Sequence, residues 1–214
     1  MEPVERTGGL CDPRRLLGYP ALYGFFSALV GGRSARRRYV REFVAPFPGA
    51  RILDIGCGTA SILEALPTTV TYVGYDVQAA YVDYARARWA GRGTFRRARV
   101  SEMEPPAEGP FDIVLATALL HHLDDDEARR LVDTGYTSLC PGGYFLTVDN
   151  VYVEGQSRLA RYIVSRDRGG HIRTPDAYVA LARTRFTDVR ATVLHDMLAI
   201  PYTHFVMQCI RAAD

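Results

Sequence analysis

Residues 53–61 read Leu53-Asp54-Ile55-Gly56-Cys57-Gly58-Thr59-Ala60-Ser61, and the rest of the chain is parsed outward from them. Arg51-Ile52-Leu53-Asp54 is a short apolar run that reads as a buried strand, and residues 61–66 read as a helix. Between them, Gly56 and Gly58 let the backbone turn sharply and let a ligand approach where a Cβ would obstruct it. Asp54 closes the strand, at the edge where open α/β sheets bind ligands. A carboxylate there suits a cationic amino group and repels a pyrophosphate. A dinucleotide loop would also place glycine where Ser61 stands.

Downstream the pattern alternates. Residues 70–75 read as a strand closed by Asp76, 77–90 as a helix, 94–100 and 111–116 as strands, and 125–139 as a helix with Asp124 as its N-cap. Residues 143–149 read as a strand introduced by the turn Pro141-Gly142-Gly143. Thr174-Pro175-Asp176 supplies cap, first-turn proline and first-turn acid for a helix reaching about Arg183. Residues 186–194 and 202–210 follow with no helix-length segment between them, so they pair as an antiparallel hairpin. Seven strands alternating with helices predict an α/β fold with a mostly parallel sheet and one reversed strand. Upstream, residues 19–31 and 34–44 read as two helices broken at Gly31-Gly32.

The chain has 214 residues, 48% hydrophobic and 23% charged, which is globular composition for one domain. Its net charge is only +2, a weak long-range attraction for nucleic acid. All 26 basic residues are arginine. Schiff-base chemistry, a lysine nucleophile and a P-loop are thereby excluded. Arg33, Arg36, Arg37, Arg38 and Arg41 point around most of their helix, as on a solvated surface. Cys11, Cys57, Cys140 and Cys209 are widely separated and show no zinc spacing, so no metal is expected. No signal pattern and no bilayer-length apolar run is visible, and a cytoplasmic location without membrane contact is expected.

Asp76 lies 18 residues past Gly58, a spacing at which an acid accepts hydrogen bonds from the hydroxyls of an adenosine ribose. With it go Phe111-Asp112-Ile113-Val114, Leu120-His121-His122-Leu123 and Pro141-Gly142-Gly143. In this order and spacing the motifs resemble the class I S-adenosylmethionine-dependent methyltransferases, in the small-molecule branch related to the ubiquinone/menaquinone C-methyltransferases (the methyltransferase type 11 group). The resemblance implies a Rossmann-like fold with helices on both faces. It implies residues 46–214 as a single folding unit and residues 1–45 as a helical lid carrying Tyr19, Tyr23 and Phe25. It further implies S-adenosylmethionine as cofactor, held by Asp54, Gly56, Cys57, Gly58, Thr59, Asp76, Val77, Val100 and Thr117. Two positions depart from the pattern. Ala60 replaces the third glycine, and Arg99 stands where an acid often holds the adenine amino group, leaving that task to the backbone near Val100 or to Ser101.

His121 and His122 follow the fourth strand and Asp149 closes the fifth, so the three are expected to face an acceptor. A histidine beside a carboxylate suits removal of a hydroxyl proton, with the rate rising between about pH 6 and 8 for an ordinary imidazole. The expected reaction is methyl transfer to a hydroxyl of a small-molecule metabolite by in-line displacement. Two alternatives stay open. An RNA or protein methyltransferase would carry a basic face or an Asn-Pro-Pro-Tyr-type motif where Ala116-Thr117-Ala118-Leu119 stands. A protein binding the same cofactor could instead catalyse a non-methylating reaction such as cyclisation. His171, beside Gly169-Gly170, and Tyr162 are further candidates to reach substrate.

Overall fold

The computed structural model describes residues 32–103, 108–167 and 169–213. The expected helix over 19–31, with Cys11, Tyr19, Tyr23 and Phe25, lies outside the described residues. Strands β1 (Arg51–Ile55), β2 (Thr71–Asp76), β3 (Thr94–Arg97), β4 (Phe111–Thr117), β5 (Leu139–Asn150), β6 (Asp188–Leu194) and β7 (His204–Ile210) form one sheet. Their order is β3-β2-β1-β4-β5-β7-β6. β1 to β5 pair in parallel, and β7 runs antiparallel to both β5 and β6. This is the Rossmann-like sheet with a reversed C-terminal strand that the pattern predicts.

β1 and β4 are buried almost throughout because both sheet faces are covered. Alternate residues feed two cores. Leu53, Ile55, Val114 and Ala116 pack with Leu131 and Val132 of helix α3 (Asp125–Ser138) and with Tyr178 and Leu181 of α5 (Pro175–Ala182). Ile52, Ile113 and Leu115 pack with Val82 and Ala85 of α2 (Ala79–Arg88) and with Tyr39 of α1 (Gly32–Tyr39). A π-helical turn, Val40–Val44, extends α1 and buries Val40 and Val44 in that second core. The expected caps form. Asp124 accepts from the Asp126 and Glu127 amides, and Thr174 accepts from the Ala177 amide.

Four elements differ from expectation. The helix over 61–66 is only a 3-10 turn, Ser61–Glu64, entered from left-handed Ala60 (φ 50°) and followed by Pro67. β3 ends at Arg97, where its pairing partner Asp76 ends β2, and a second 3-10 turn, Val100–Glu102, follows. Pro141-Gly142-Gly143 lies within β5 rather than before it. The β4 register shifts between Phe111 and Ile113 to accommodate the extra residues, and Gly142 takes φ +79°. Helix α4 (Arg158–Ser165), capped by the Ser157 hydroxyl accepting from the Ala160 amide, was not expected from the sequence.

Strand order reverses between β1 and β4, which opens a crevice at their C-terminal ends. Asp54, Asp76, Thr117 and Asp149 all stand at that edge.

Candidate active site at the reversal of strand order

On the β1–β2 side the site is made mainly of backbone. Gly56 (φ +77°) and Gly58 (φ +54°) hold left-handed conformations that favour glycine, and a Cβ on Gly58 would meet nothing within 4 Å. The loop is tied to β2 by the Gly56 and Cys57 amides, which donate to the Tyr75 carbonyl. Asp76 locks its far end. One carboxylate oxygen accepts from the Gly58 amide at 2.9 Å and the other from the Gln78 amide at 2.8 Å. Burial pushes Asp76 above the ordinary carboxylate value against these bonds.

Asp54 is 4% exposed. Its Oδ2 accepts from the Tyr72 hydroxyl at 2.6 Å, and its buried Oδ1 has no partner among the described residues. Burial raises its pKa to about 7, opposed by the Tyr72 bond. A buried carboxylate with a spare oxygen, on a loop whose Gly58 faces open space, fits an incoming ammonium group, so the residues suit the amino-acid end of S-adenosylmethionine.

The other expected cofactor residues divide. Thr117 is half-buried, with its hydroxyl 3.3 Å from the Tyr39 hydroxyl, so α1 reaches over the end of β4. Val100 is half-buried; Val77 is exposed, and its carbonyl accepts from Arg97. Thr59 is buried, with its carbonyl accepting from the Trp89 indole at 3.0 Å. Cys57 packs inward, where its sulfur would lie 2.8 Å from a Cβ on Gly74. Burial pushes its thiol far up, which makes it inert. Arg99 is exposed, and its amide donates to the Glu102 carboxylate at 3.4 Å.

On the β4–β5 side the site is made of charged side chains. The 3-10 turn Leu120–His122 buries His121 (3% exposed) and leaves His122 exposed, with ring centroids 4.2 Å apart. His121 Nδ1 lies 2.7 Å from Asp149 Oδ1, which also accepts from the His121 amide. Asp149 Oδ2 is buried without a partner among the described residues.

His121 Nε2 lies 3.3 Å from Asp167 Oδ1. Burial alone would lower the His121 pKa, but the two carboxylates override it and push it to about 9. Burial works to raise Asp167, whereas bonds from His121, the Gly169 amide and the Tyr202 hydroxyl hold it below the usual carboxylate range. His121 is thus a charged ring between two acids, and the rise between pH 6 and 8 expected of an ordinary imidazole is not its own.

The sequence reading omitted Asp167 and the residues that seat it. The His171 amide donates to the His121 carbonyl at 3.0 Å, and a Cβ on Gly169 would lie 2.2 Å from His121 Cδ2. Arg173 donates to the Leu120 and Leu123 carbonyls and pairs with Asp125 at 2.7 Å, clasping the histidine turn. The available signal was Asp167 followed so closely by Gly169-Gly170, glycines that permit close approach. His171 is exposed, as is Tyr162, which carries Arg166 over its ring. The arginines of residues 33–41 largely meet acids. Arg36 reaches Glu64 at 2.8 Å, and Arg38 reaches Glu42 at 2.8 Å and Asp196 at 3.0 Å.

Residues 52–143 match the family described as methyltransferase domain. Over 136 residues the chain is 28% identical to an uncharacterized methyltransferase of Synechocystis, covering 61% of this chain and 63% of that one. Over 107 residues it is 32% identical to a ubiquinone biosynthesis O-methyltransferase of Caulobacter, covering 47% and 41%. The chain spans less than two thirds of the length of these curated relatives. Among solved structures, a TehB-like S-adenosylmethionine-dependent methyltransferase of Corynebacterium glutamicum superposes with a TM-score of 0.65 at 15% identity, covering 94% of this chain and all of that one.

Sheet order, glycine loop and the acid closing β2 together define the class I methyltransferase fold. Within that fold, residues 52–143 match the methyltransferase-domain family, and the chain is similar to S-adenosylmethionine-dependent methyltransferases. Among the described residues, no helix is long and apolar enough to cross a membrane.

Proposed function

We propose that the chain transfers the methyl group of S-adenosylmethionine to a hydroxyl oxygen of a small molecule, as a step in biosynthesis. The observation that carries this reading is the buried Oδ1 of Asp54, unpartnered among the described residues, on a loop whose Gly58 faces open space. When bound, the cofactor supplies a methyl group on a sulfonium, already a good leaving group. The protein's task is therefore chiefly alignment, which contributes about 7–11 kcal/mol in favourable cases.

Asp54 receives the ammonium group. Gly56, Cys57, Gly58 and Thr59 form the turn around it, and Asp76 receives the ribose hydroxyls on lone pairs its amide bonds leave free. Val77 and Val100 flank the adenine, and Thr117 lies under the Tyr39 hydroxyl, so α1 acts as part of a lid. On the acceptor side, exposed His122 receives the substrate hydroxyl and the proton it loses, while buried, charged His121 and Asp149 stand behind it. Asp149 holds the His121 ring in place. The Caulobacter relative, named as an O-methyltransferase, supports an oxygen acceptor. Pairing of the N-terminal arginines with acids favours a small molecule over a nucleic acid.

Incubating the full chain with S-adenosylmethionine and a panel of hydroxylated metabolites tests the reading. The expected result is S-adenosylhomocysteine with a product heavier by one methylene unit. A converted acceptor without S-adenosylhomocysteine would support non-methylating chemistry instead. No calorimetric binding of S-adenosylmethionine would overturn both.

A further inference from the structure

We propose that His121, His122 and Asp167 bind a divalent first-row transition-metal ion on the acceptor side of the crevice. Each offers one ligand atom, and the three atoms lie within 4.8 Å of one another. His121 Nε2 and Asp167 Oδ1 are 3.3 Å apart. That is longer than the about 2.7–2.9 Å of a charge-assisted hydrogen bond. It is close to the edge of a tetrahedron whose bonds are about 2.0–2.1 Å, the zinc–nitrogen length. His122 stands exposed at the lip, with its ligand nitrogen within 4.8 Å of both inner ligand atoms.

Both inner ligands are held in place from behind. His121 Nδ1 bonds Asp149 at 2.7 Å, the carboxylate–histidine relay that leaves Nε2 for an ion and fixes the ring's orientation. Asp167 Oδ2 accepts from the Tyr202 hydroxyl at 2.8 Å, and Oδ1 accepts from the Gly169 amide at 3.0 Å. Tyr202 is itself steadied by the Asn150 amide at 3.0 Å. Ligands supported in this way are the mark of a metal centre; a surface ion pair has no such need of them.

Two imidazole nitrogens and one carboxylate oxygen suit Zn²⁺ or Co²⁺ and leave a coordination position open. On binding, the Nε2 proton shared with Asp167 leaves to solvent. Given the methyl-transfer reading, on which this assignment of role rests, the open position takes the acceptor's hydroxyl oxygen and eases loss of its proton. The sequence concealed the site because Asp167 stands beyond β5 from the two histidines, outside any metal-binding spacing.

The test is equilibrium dialysis of the full chain, first freed of metal with a chelator, against Co²⁺. Visible absorption is recorded, and S-adenosylmethionine binding is measured in parallel. The expected result is one Co²⁺ per chain with no sulfur-to-cobalt charge-transfer band. Asp167→Ala and His122→Ala should each weaken Co²⁺ binding at least about tenfold while cofactor affinity stays within about threefold. Asp167→Ala could unseat its loop, so exposed His122 supplies the decisive variant. No stoichiometric Co²⁺, a thiolate band, or undiminished binding in His122→Ala would each overturn the site. Absent Co²⁺ with intact cofactor binding removes the ion alone, whereas absent cofactor binding removes the methyl-transfer reading and leaves the ion measurement standing.

Discussion

The crevice has two walls made by different means. Along β1 and β2 the structure depends on backbone: left-handed glycines, amides bonded to Asp76, and one buried carboxylate, all within residues 54–78. Along β4 and β5 it depends on side-chain charge gathered from separate segments, with His121, Asp149 and Asp167 in one chain of contacts and Tyr202 and Arg173 bracing it. Backbone walls tolerate side-chain change wherever there is room. Charged walls fail when one partner is lost, because the remaining charge is stranded away from water. The first wall suits a ligand shared across a whole family, and the second can be altered to suit an individual acceptor.

The largest effect should therefore come from the charged wall. His121→Ala leaves Asp149, only 2% exposed, without its cationic partner. Breaking such a buried pair costs about 3–5 kcal/mol, read as a lower urea midpoint. A loss below about 1 kcal/mol would mean that the carboxylates reach water and that the contrast between the walls is false.

Next comes Asp54→Asn, which removes the charge proposed to meet the cofactor's ammonium. A hydrogen bond to a charged group contributes about 1.5–3 kcal/mol, so calorimetry should find roughly 10- to 150-fold weaker S-adenosylmethionine binding with folding retained. The same residue sets a pH dependence. Its folded pKa of about 7 lies above the unfolded carboxylate value. Its contribution to stability without cofactor is complete below about pH 4 and is lost as pH rises through about 7. Cofactor binding needs the ionised form, so affinity should climb about fivefold from pH 6 to pH 7 and then flatten. Asp54→Asn should abolish the climb. A flat profile in the unmodified chain would place the ammonium elsewhere.

The two walls also differ in how far the sequence revealed them. On the first, each candidate residue is dictated by its immediate neighbours, since a glycine is favoured where the chain turns left-handed and an acid stands where a strand ends. Asp54, Gly56, Gly58 and Asp76 were therefore legible, as were seven strands and their order of pairing at the C-terminus. Even there, local pattern overstated the helix after the loop, because it did not register the left-handed entry at Ala60. On the second wall, His121, His122 and Asp149 were legible from their places at strand ends. Asp167 was not. It lies in an arginine-flanked segment that reads as solvated surface, and only tertiary packing of Gly169 on the His121 ring brings it inward.

A middle-sized effect tests whether the backbone wall has room everywhere. A Cβ at Gly74 would lie 2.8 Å from the Cys57 sulfur and 3.1 Å from Tyr72. Gly74→Ala should destabilise by about 1–3 kcal/mol through overpacking, and adding Cys57→Ala should recover at least half of it. No recovery would assign the clash to Tyr72 and hence to Asp54, its hydrogen-bond partner.

The smallest effect is expected where opposing terms meet at one residue. Ala60 is fully buried and left-handed, with φ 50° and ψ 33°. The left-handed conformation costs a residue with a Cβ about 1–2 kcal/mol, and glycine would relieve that. Glycine would also lose about 0.5–1 kcal/mol through its freer unfolded chain, and about 0.8 kcal/mol for the buried methyl. The terms nearly cancel, so Ala60→Gly should change the unfolding free energy by less than about 0.5 kcal/mol, with cofactor affinity unaltered. Chemical denaturation decides which term governs. A gain above about 1 kcal/mol would show that backbone strain dominates this wall, as the comparison holds. An equal loss would show that packing against Ile62 and Leu63 matters more, making the first wall less a backbone structure than the glycines suggest.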